Sequence, residues 1–316
     1  WVNEELASSQ IDWAVANSWS EAETLANSRD ADVVLTLTGR RLLTRLVIEQ
    51  LEKCRAIIRV GSGVDCIDLP AATERGIVVI NTPDAVAEEV ADHTIALLLD
   101  AVRRVAWQDR LVRQGKWRSL EAFPTRRVRG MTLGLIGFGH VARAVVERLS
   151  GWKMVFLAYD PYMDPETTER LGVRLVGLNE LLEQSDVVSL HAPLTEKTYR
   201  LLGDQEFRRM KSGAIFINTA RGAEVDEQAL LWALHEGHLS AAGLDVLEHE
   251  PPSPDHPLLQ LDNVTFTPHT AAHSDEVQDA MFRAACHAVR EILEGRLPEC
   301  VVIPEVKPWW LTNPPA

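Results

Sequence analysis

A glycine-rich turn between an apolar strand and an amphipathic helix constrains this chain more than any other feature. The apolar run 131–136 leads into the letters GFGHVA, and a helical pattern follows them. Gly137 permits a sharp turn, and Gly139 lets a ligand approach the backbone closely. The backbone N–H groups of His140 and Val141, at the start of the helix, then point towards a bound anion. This pattern predicts a site for a dinucleotide pyrophosphate.

A carboxylate completes the pattern at the end of the next strand. The apolar run 154–159 ends in Asp160, about 20 residues after the turn, where dinucleotide-binding folds place an acid on the adenosine ribose hydroxyls. Such an acid favours NAD over NADP. A glycine pair alone is also typical of an ordinary strand-to-helix turn, so the interpretation depends on the strand, the helix and the acid together.

Composition limits the class of protein. The 316 residues, 46% of them hydrophobic, indicate two domains with substantial cores. The net charge of -14 argues against nucleic acid or an anionic membrane as a partner. The longest apolar runs have only the length of strands, so we expect no membrane span. The four cysteines are scattered without a C-x-x-C spacing, which fits a reducing cytoplasm. The sequence begins with Trp1 and no methionine, and we expect native residues to precede it.

Strand-like runs alternate with helical patterns along the chain. This alternation predicts parallel sheets with helices on both faces. We therefore expect an α/β fold of two doubly wound parallel-sheet domains, a Rossmann-like NAD domain and a flavodoxin-like substrate domain, with a cleft between them. The runs are 33–37, 56–60, 77–80, 131–136, 154–159, 187–190, 214–218, 242–246 and 264–267.

A long helical stretch, 86–104, which is expected to continue towards residue 115, separates the first three runs from the others and predicts a connection between the domains. We place the first part of the substrate domain at 1–98 and the NAD domain at 99–274. The last segment, 275–316, begins with a helical pattern and is expected to return to the substrate domain.

A second glycine pair, in the letters GSG at 61–63, also follows a strand-like run but lacks the dinucleotide signature. No amphipathic helix comes directly after it, and the next strand ends in Asn81 instead of an acid. Backbone N–H groups at a strand end suit a small anion such as a carboxylate. We therefore assign Arg59, Ser62 and Gly63 to substrate binding.

Three polar side chains, Arg221, Glu250 and His269, lie at or just beyond the ends of strand-like runs in the second group. Open parallel sheets bind ligands at the carboxyl ends of their strands, so we expect these side chains to converge. Each one alone also fits a plain structural role, as a surface ion pair, a loop carboxylate or a hydrogen-bonded loop histidine. Residue type and position leave both interpretations open.

The sequence around those side chains resembles the D-isomer-specific 2-hydroxyacid dehydrogenase family. The resemblance covers nearly the whole chain, from about residue 32 to residue 298. Several motifs in a fixed order are far more specific than any one of them. The matching stretches are GSGVD at 61–65, ADHT at 91–94, HAPLT at 191–195, NTARG at 218–222, GLDV at 243–246, EP at 250–251 and TPH at 267–269.

The resemblance implies a two-domain NAD-dependent enzyme, usually a homodimer, and gives the three side chains their roles. Arg221 would hold the substrate carboxylate and polarise the carbonyl. His269 would be the general acid in reduction and the base in oxidation, and Glu250 would hydrogen-bond it and keep it protonated. The chemistry agrees, because negative charge that develops on a carbonyl oxygen requires a proton donor and a fixed cation.

The resemblance also implies which residues line the cofactor. Asp245 would bind the nicotinamide carboxamide. Further contacts with NAD are expected from His191, Ala192, Pro193, Thr219 and Ala220.

The predicted reaction is hydride transfer between NAD(H) and C2 of a small 2-oxo or (R)-2-hydroxy acid, such as glyoxylate or hydroxypyruvate. Formate dehydrogenases carry glutamine in place of Glu250, which disfavours that reaction. The RVGSG stretch at 59–63 resembles the branch with the C-terminal-binding-protein corepressors, so a non-catalytic, NAD-sensing dimeric scaffold stays open. Oxidation of a non-carbon substrate such as phosphite stays open as well. His235 and His238 have no third ligand near them in sequence, so we expect no metal.

Overall fold

In a computed structural model, the chain folds into two compact units. The first unit comprises Trp1–Val86 and His273–Ala316, and the second comprises Ala87–Ala272. Parallel strands alternate with helices in both units, which confirms the predicted α/β class. The structure describes Leu6 and residues 11–82, 86–117 and 125–312.

The elements of the described residues are named in chain order. The strands are β1 Val33–Thr36, β2 Ala56–Arg59, β3 Val78–Ile80, β4 Thr132–Ile136, β5 Val155–Tyr159, β6 Val173–Leu175, β7 Val187–Leu190, β8 Ala214–Asn218, β9 Leu239–Leu244 and β10 Val264–Phe266. The helices are α1 Glu21–Ser28, α2 Arg45–Ile48, α3 Leu69–Glu74, α4 Ala87–Arg103, α5 Val105–Arg113, α6 His140–Leu149, α7 Pro165–Arg170, α8 Leu178–Gln184, α9 Asp204–Arg209, α10 Glu227–His235, α11 Asp275–Leu293 and α12 Trp309–Thr312. None of these helices combines the length and the apolar character needed to cross a membrane.

The described residues of the first unit form a parallel sheet in the order β1–β2–β3. Both of its faces are buried: Ala56 and Ile58 pack in a cluster with α11, whereas Ile57 packs with α2 and α3. The C-terminal segment belongs to this core, because Trp310 is 2% exposed and its Nε1–H donates to the Arg55 carbonyl at 3.1 Å.

The described residues of the second unit form a seven-stranded parallel sheet in the order β10–β9–β8–β7–β4–β5–β6. The chain enters at β4, continues outwards to β6, and then crosses to β7 on the other side of β4. The strand order therefore reverses between β4 and β7. At such a point the loops that follow the two strands turn to opposite faces of the sheet, which leaves a crevice for a ligand at the carboxyl ends.

Helix α4 lies wholly in the second unit, whereas the boundary expected at residue 98 would divide it. Leu97 and Leu98 belong to the same buried cluster as Ile217 in β8 and Ala241 in β9. Gly243 permits a close approach, because a Cβ at this position would lie only 2.9 Å from the Leu97 Cβ. The apolar face of α4 thus packs on the large sheet, and the boundary falls before the helix.

Two further features differ from the expected pattern. Strand β6 was not predicted, because it has three residues at the edge of the sheet and an exposed Arg174 at its centre. The helical stretch that was expected to continue towards residue 115 is divided in two at Arg104, whose φ of 58° is left-handed.

Candidate active site

The glycine-rich turn joins β4 to α6 beside the point where the strand order reverses. Gly137 has a φ of 84°, and a Cβ there would lie 2.7 Å from the backbone nitrogen of Ala192 in the loop after β7. Gly139 precedes α6, and a Cβ there would meet no heavy atom within 4 Å. The first glycine is therefore required by a close contact between backbones, and the second borders open space. Open space at the N-terminus of a ten-residue helix fits a pyrophosphate.

The Asp160 carboxylate is fixed beside this turn. Its Oδ2 accepts the Phe138 N–H at 2.9 Å, and its Oδ1 accepts the Tyr162 N–H at 2.9 Å. A carboxylate offers about four acceptor positions, so lone pairs remain for the two hydroxyls of a ribose. The position and the chemistry of Asp160 both fit the adenosine end of NAD.

Residues at the ends of β7 and β8 continue the edge of the crevice. Desolvation lowers the pKa of His191 to about 4, so its ring is neutral near pH 7, and its Nε2 lies 2.9 Å from Ser189 Oγ. The Thr219 hydroxyl lies 2.8 Å from that of Thr94, which itself donates to the Val90 carbonyl. Thr219 therefore donates its hydroxyl hydrogen to Thr94 on α4, so its Oγ1 can only accept a hydrogen bond from a cofactor.

Glu250 and His269 form a close pair. The distance between His269 Nδ1 and Glu250 Oε2 is 2.6 Å, and the other carboxylate oxygen accepts the Leu247 N–H at 3.0 Å. An ionised carboxylate can only accept hydrogen bonds, so Nδ1 carries the hydrogen of this bond. The hydrogen bond fixes the tautomer of the ring, and Nε2 is left to exchange a proton with a ligand.

Asp245 organises the loop that carries His269. Its side chain is 1% exposed, and it accepts the Thr267 hydroxyl at 2.5 Å and the N–H groups of Thr270 at 2.9 Å and Ala271 at 3.0 Å. The Asp245 carbonyl accepts the His269 N–H at 2.8 Å, and His269 has a left-handed φ of 56°. Three of about four acceptor positions on the carboxylate are thus occupied, and one remains for a donor such as a carboxamide.

Asn218, at the end of β8, shapes the turn that carries Arg221. Its Nδ2 donates to the Arg221 carbonyl at 3.0 Å, and its Oδ1 accepts the Ala220 N–H at 2.9 Å. The Arg221 Nη1 donates to the Ala220 carbonyl at 2.7 Å. The guanidinium is therefore tethered at its own turn, and its position follows from a buried amide.

The loop of Arg221 touches the loop of Glu250 through Gly222. A Cβ at Gly222 would lie 1.9 Å from the Leu247 carbonyl carbon, so only glycine permits this contact between backbones. Strands β8, β9 and β10 are neighbours, and Arg221, Glu250 and His269 follow them in that order. The structure therefore brings Glu250 and His269 into direct contact and places the loop of Arg221 against the loop that leads to Glu250.

The predicted substrate-binding residues of the first unit follow β2. The Arg59 Nη1 donates to the carbonyls of Leu37 and Val60. The Ser62 carbonyl accepts Asn81 Nδ2 at 2.7 Å, which holds the GSG loop beside the end of β3. Their part in substrate binding stays a prediction, as does that of Gly63.

The motifs that carry the family resemblance also contain Asn218, Gly222, His93 and Thr267, for which the sequence predicted no role. The signal was present in the NTARG, ADHT and TPH stretches, where these residues flank the assigned ones. Within the described part of the chain, no group of three or more His, Cys, Asp or Glu side chains is arranged to hold a metal ion.

Comparisons with known proteins place this site in a family context. A family model described as "D-isomer specific 2-hydroxyacid dehydrogenase, NAD binding domain" matches residues 95–271. A D-3-phosphoglycerate dehydrogenase of Methanocaldococcus jannaschii is 43% identical over 289 residues, which cover 91% of this chain and 55% of that protein. A glyoxylate reductase of Korarchaeum cryptofilum is 44% identical over 282 residues, which cover 88% and 84%. The crystal structure of a glyoxylate reductase from Paecilomyes thermophila is similar with a TM-score of 0.87 at 32% identity, covering 96% and 94%. The chain thus spans about half the length of the phosphoglycerate dehydrogenase and most of each glyoxylate reductase.

Proposed function

Because this chain belongs to the D-isomer-specific 2-hydroxyacid dehydrogenase family, we propose that it transfers a hydride reversibly between NAD(H) and C2 of a small 2-oxo or (R)-2-hydroxy acid. The observation that carries this proposal is the 2.6 Å pair of His269 and Glu250 at the carboxyl ends of the large sheet. The glyoxylate reductases among the relatives favour glyoxylate or a related small 2-oxo acid, such as hydroxypyruvate, as the substrate.

In the second unit, one set of residues binds the cofactor and another set binds the substrate and transfers the proton. Gly139 and the N-terminus of α6 hold the pyrophosphate of NAD, and Asp160 accepts the ribose hydroxyls. Asp245 holds the carboxamide through its remaining acceptor position. When bound, the nicotinamide supplies the hydride in reduction and takes it up in oxidation.

The polar side chains act on the substrate oxygens. In reduction, His269 Nε2 donates a proton to the carbonyl oxygen while negative charge develops there. Glu250 orients the ring and stabilises the imidazolium that precedes the transfer. Arg221 holds the substrate carboxylate and polarises the carbonyl, for which its planar guanidinium is suited. In oxidation, the same imidazole takes the hydroxyl proton.

We expect the His269→Ala variant to lose turnover by about 100-fold to 10,000-fold, the contribution typical of a general acid. The substrates are a panel of 2-oxo acids with NADH, and the affinity for NADH is measured separately by fluorescence. His235→Ala is the matched control, because His235 is an exposed histidine on α10 whose Nδ1 lies 3.1 Å from the carboxylate of its neighbour Glu236. Unchanged turnover in His269→Ala would remove the assigned role.

The same panel separates the proposed enzyme from a scaffold. A chain that binds NADH tightly, turns over no 2-oxo acid and dimerises only when NADH is added would be an NAD-sensing scaffold of the corepressor type. Turnover of at least one acid at a rate that depends on His269 would support the enzyme.

We also propose a homodimer that works in the cytoplasm. Cys54 is a buried thiol that donates to the Ala56 carbonyl, which suits a reducing compartment. Light scattering during gel filtration measures the mass directly, and a mass near 35.2 kDa would contradict the dimer, because that is the mass of one chain.

A further inference from the structure

A polar network joins helix α4 to the loop that carries His269. The distance between His93 Nε2 and Thr267 Oγ1 is 2.8 Å, and the Thr267 hydroxyl lies 2.5 Å from Asp245 Oδ1. His93 Nε2 is also 3.7 Å from the same carboxylate oxygen. All three residues belong to the second unit, and Thr267 precedes His269 by only two residues.

Donor and acceptor chemistry fixes the direction of each hydrogen bond in this network. The Asp245 carboxylate can only accept, so the Thr267 hydroxyl donates to it. The single hydroxyl hydrogen is then used, and the oxygen of Thr267 must accept from His93 Nε2–H. A neutral ring with its hydrogen on Nε2 satisfies this arrangement, and so does the imidazolium. The order of donation is therefore His93 to Thr267 to Asp245 in either protonation state.

These hydrogen bonds support the loop of His269 at its most strained residue, which is His269 itself. A left-handed backbone is uncommon and strained for residues other than glycine, so the φ of 56° at His269 requires support from its surroundings. That support comes from Asp245, whose carbonyl accepts the His269 N–H and whose carboxylate accepts the next two N–H groups. The orientation of this carboxylate in turn depends on the Thr267 hydroxyl, which His93 keeps from rotating away.

We propose that His93 and Thr267 are positioning residues that set the orientation of His269 through Asp245. This inference rests on the proposed role of His269 as the general acid. Neither residue is required to touch the substrate: their effect is to hold the imidazole where its Nε2 meets the carbonyl oxygen. Loss of the network misplaces the proton donor without removing it.

The central test compares Thr267→Val, which keeps the shape of the side chain but removes the hydroxyl, with Thr267→Ser, which keeps the hydroxyl. We expect Thr267→Val to lower kcat by about 10-fold to 100-fold, as a small misplacement of a catalytic group does. The KM for the 2-oxo acid, measured at saturating NADH because Asp245 also binds the carboxamide, should change by less than about threefold, since binding of the acid does not depend on the proton donor. Thr267→Ser should restore kcat to within about twofold.

The chain offers a matched control for the loss of a hydrogen bond. Thr265 lies in β10, two residues before Thr267, and its hydroxyl donates to Asp100 on the same helix, α4. Thr265→Val thus removes an equivalent contact between strand and helix that does not lead to Asp245. Its melting temperature should fall by an amount similar to that of Thr267→Val, while its kcat stays unchanged. An equal loss of kcat in the two valine variants would reduce Thr267 to a plain structural role and overturn the proposal.

His93 is tested by a double-mutant cycle. His93→Phe should lower kcat to the same extent as Thr267→Val, and the double variant should lose no more than either one, because both changes break one chain of hydrogen bonds. Additive losses would show that His93 acts by another route, which would overturn its part in the network.

A measurement without cofactor or substrate keeps this inference separate from the proposed function. In Thr267→Val, amide hydrogen exchange of Thr270 and Ala271 should accelerate, since their N–H groups are bound to Asp245. Unchanged exchange would contradict the positioning role whatever the activity. In a His269→Ala background, Thr267→Val should cause no further loss of turnover. If His269→Ala itself keeps full turnover, the proposed function fails, and the exchange result still decides whether the network holds the loop.

Discussion

A residue without a side chain, Gly222, allows the loop of Arg221 to touch the loop of Glu250. A Cβ there would lie 1.9 Å from the Leu247 carbonyl carbon and 2.1 Å from its oxygen, so both backbones must move to admit it. Forced overpacking of this kind typically costs about 1–3 kcal/mol. We therefore expect Gly222→Ala to lower both the melting temperature and kcat, because the shift separates Arg221 from the pair of Glu250 and His269.

Gly151→Ala is the control for that substitution. A Cβ at Gly151 would meet no heavy atom within 4 Å, and the backbone there is not left-handed, so an added methyl group is tolerated. The melting temperature and kcat of this variant should both match those of the parent chain. If Gly222→Ala retained full kcat, the contact between the two loops would be irrelevant to the site.

The Asp160→Ala variant tests the choice between NADH and NADPH. A structural effect that weakens both cofactors equally does not change the ratio of their dissociation constants. Asp160→Ala removes the acceptor of the Phe138 and Tyr162 N–H groups, and the loosened turn should weaken NADH and NADPH alike. The hydrogen bond from the ribose 2′-hydroxyl exists only for NADH, because NADPH carries a phosphate there, and a bond to a charged acceptor contributes about 1.5–3 kcal/mol. The Kd for NADPH divided by the Kd for NADH should therefore fall by about tenfold or more. A ratio that stays constant while both affinities fall would argue against the ribose contact.

At this scale, the sequence motifs led to the assigned residues but not to those that support them. Glu250 and His269 were expected to be partners, and their atoms lie 2.6 Å apart, although the catalytic role stays a prediction. Asn218 and Thr267 flank assigned residues in the NTARG and TPH motifs, but their residue types do not indicate a positioning role, since short polar residues are common at strand ends. Their roles depend on which backbone groups lie opposite them, and only the folded chain fixes that.

At the scale of secondary-structure elements, Asp186 ties the start of β7 to its neighbours. It accepts the Thr132 N–H at 2.9 Å, Arg126 at 3.1 Å and Lys211 at 3.3 Å. Partial burial alone would raise the pKa of the Asp186 carboxyl, but these three donors together lower it below its ordinary value of 3.8. A carboxyl with a lowered pKa in the folded state stabilises the fold above its unfolded-state pKa, and this contribution is lost as the pH falls through the folded-state pKa.

Asp186→Asn should therefore destabilise the chain in a pH-dependent way. Near pH 7 the free energy of unfolding should fall by about 1–3 kcal/mol, because the charged acceptor of three donors is lost. The difference from the parent chain should shrink as the pH falls below about 4, because the carboxyl of the unfolded chain is protonated first and that of the folded chain follows at its lower pKa. Urea unfolding at several pH values measures the free energy of unfolding of the variant and of the parent chain. Asp204→Asn is the control: it breaks an exposed ion pair with Arg208 on α9 and should change the free energy of unfolding little at any pH. A loss of stability in Asp186→Asn that does not depend on pH would contradict the linkage.

The elements themselves were predicted with uneven success, for physical reasons. Central strands such as β4, β7 and β8 are buried on both faces, so their continuous apolar runs were visible in the sequence. The edge strand β6 has only Val173 well buried, and three residues give too short a pattern to recognise. Strand β9 begins at Leu239, three residues before the run predicted at 242–246, because Ser240 interrupts its apolar character.

At the scale of the whole molecule, the sequence predicted two α/β domains but could not place their boundary. Helix α4 has apolar residues on more than one side, and periodicity does not reveal which sheet those residues meet. Contacts of Leu97 with Gly243 and Ile217 assign the helix to the second unit. The family match, which begins at residue 95, divides the helix as the predicted boundary did, so only packing resolves the question.

That packing leads to a prediction for isolated fragments. A fragment 87–272 contains the complete core of the second unit, whereas a fragment 99–272 lacks Leu97 and Leu98, which are 3% and 0% exposed. Removal of a buried leucine side chain typically costs about 2–5 kcal/mol, and the stability of a whole domain is only about 5–15 kcal/mol. The longer fragment should therefore unfold cooperatively on heating and bind NADH, while the shorter one should aggregate or lack a cooperative transition.

Circular dichroism and calorimetry of the two fragments provide the measurement, and a third fragment separates packing from chain length. Leu97→Ala together with Leu98→Ala in fragment 87–272 keeps every residue of the helix but removes the two apolar side chains. If this variant behaves like fragment 99–272, the core contact and not the length of the helix determines whether the second unit folds. Equal melting of all three fragments would show that α4 is dispensable for the large sheet, and the boundary at residue 98 would then be the better description.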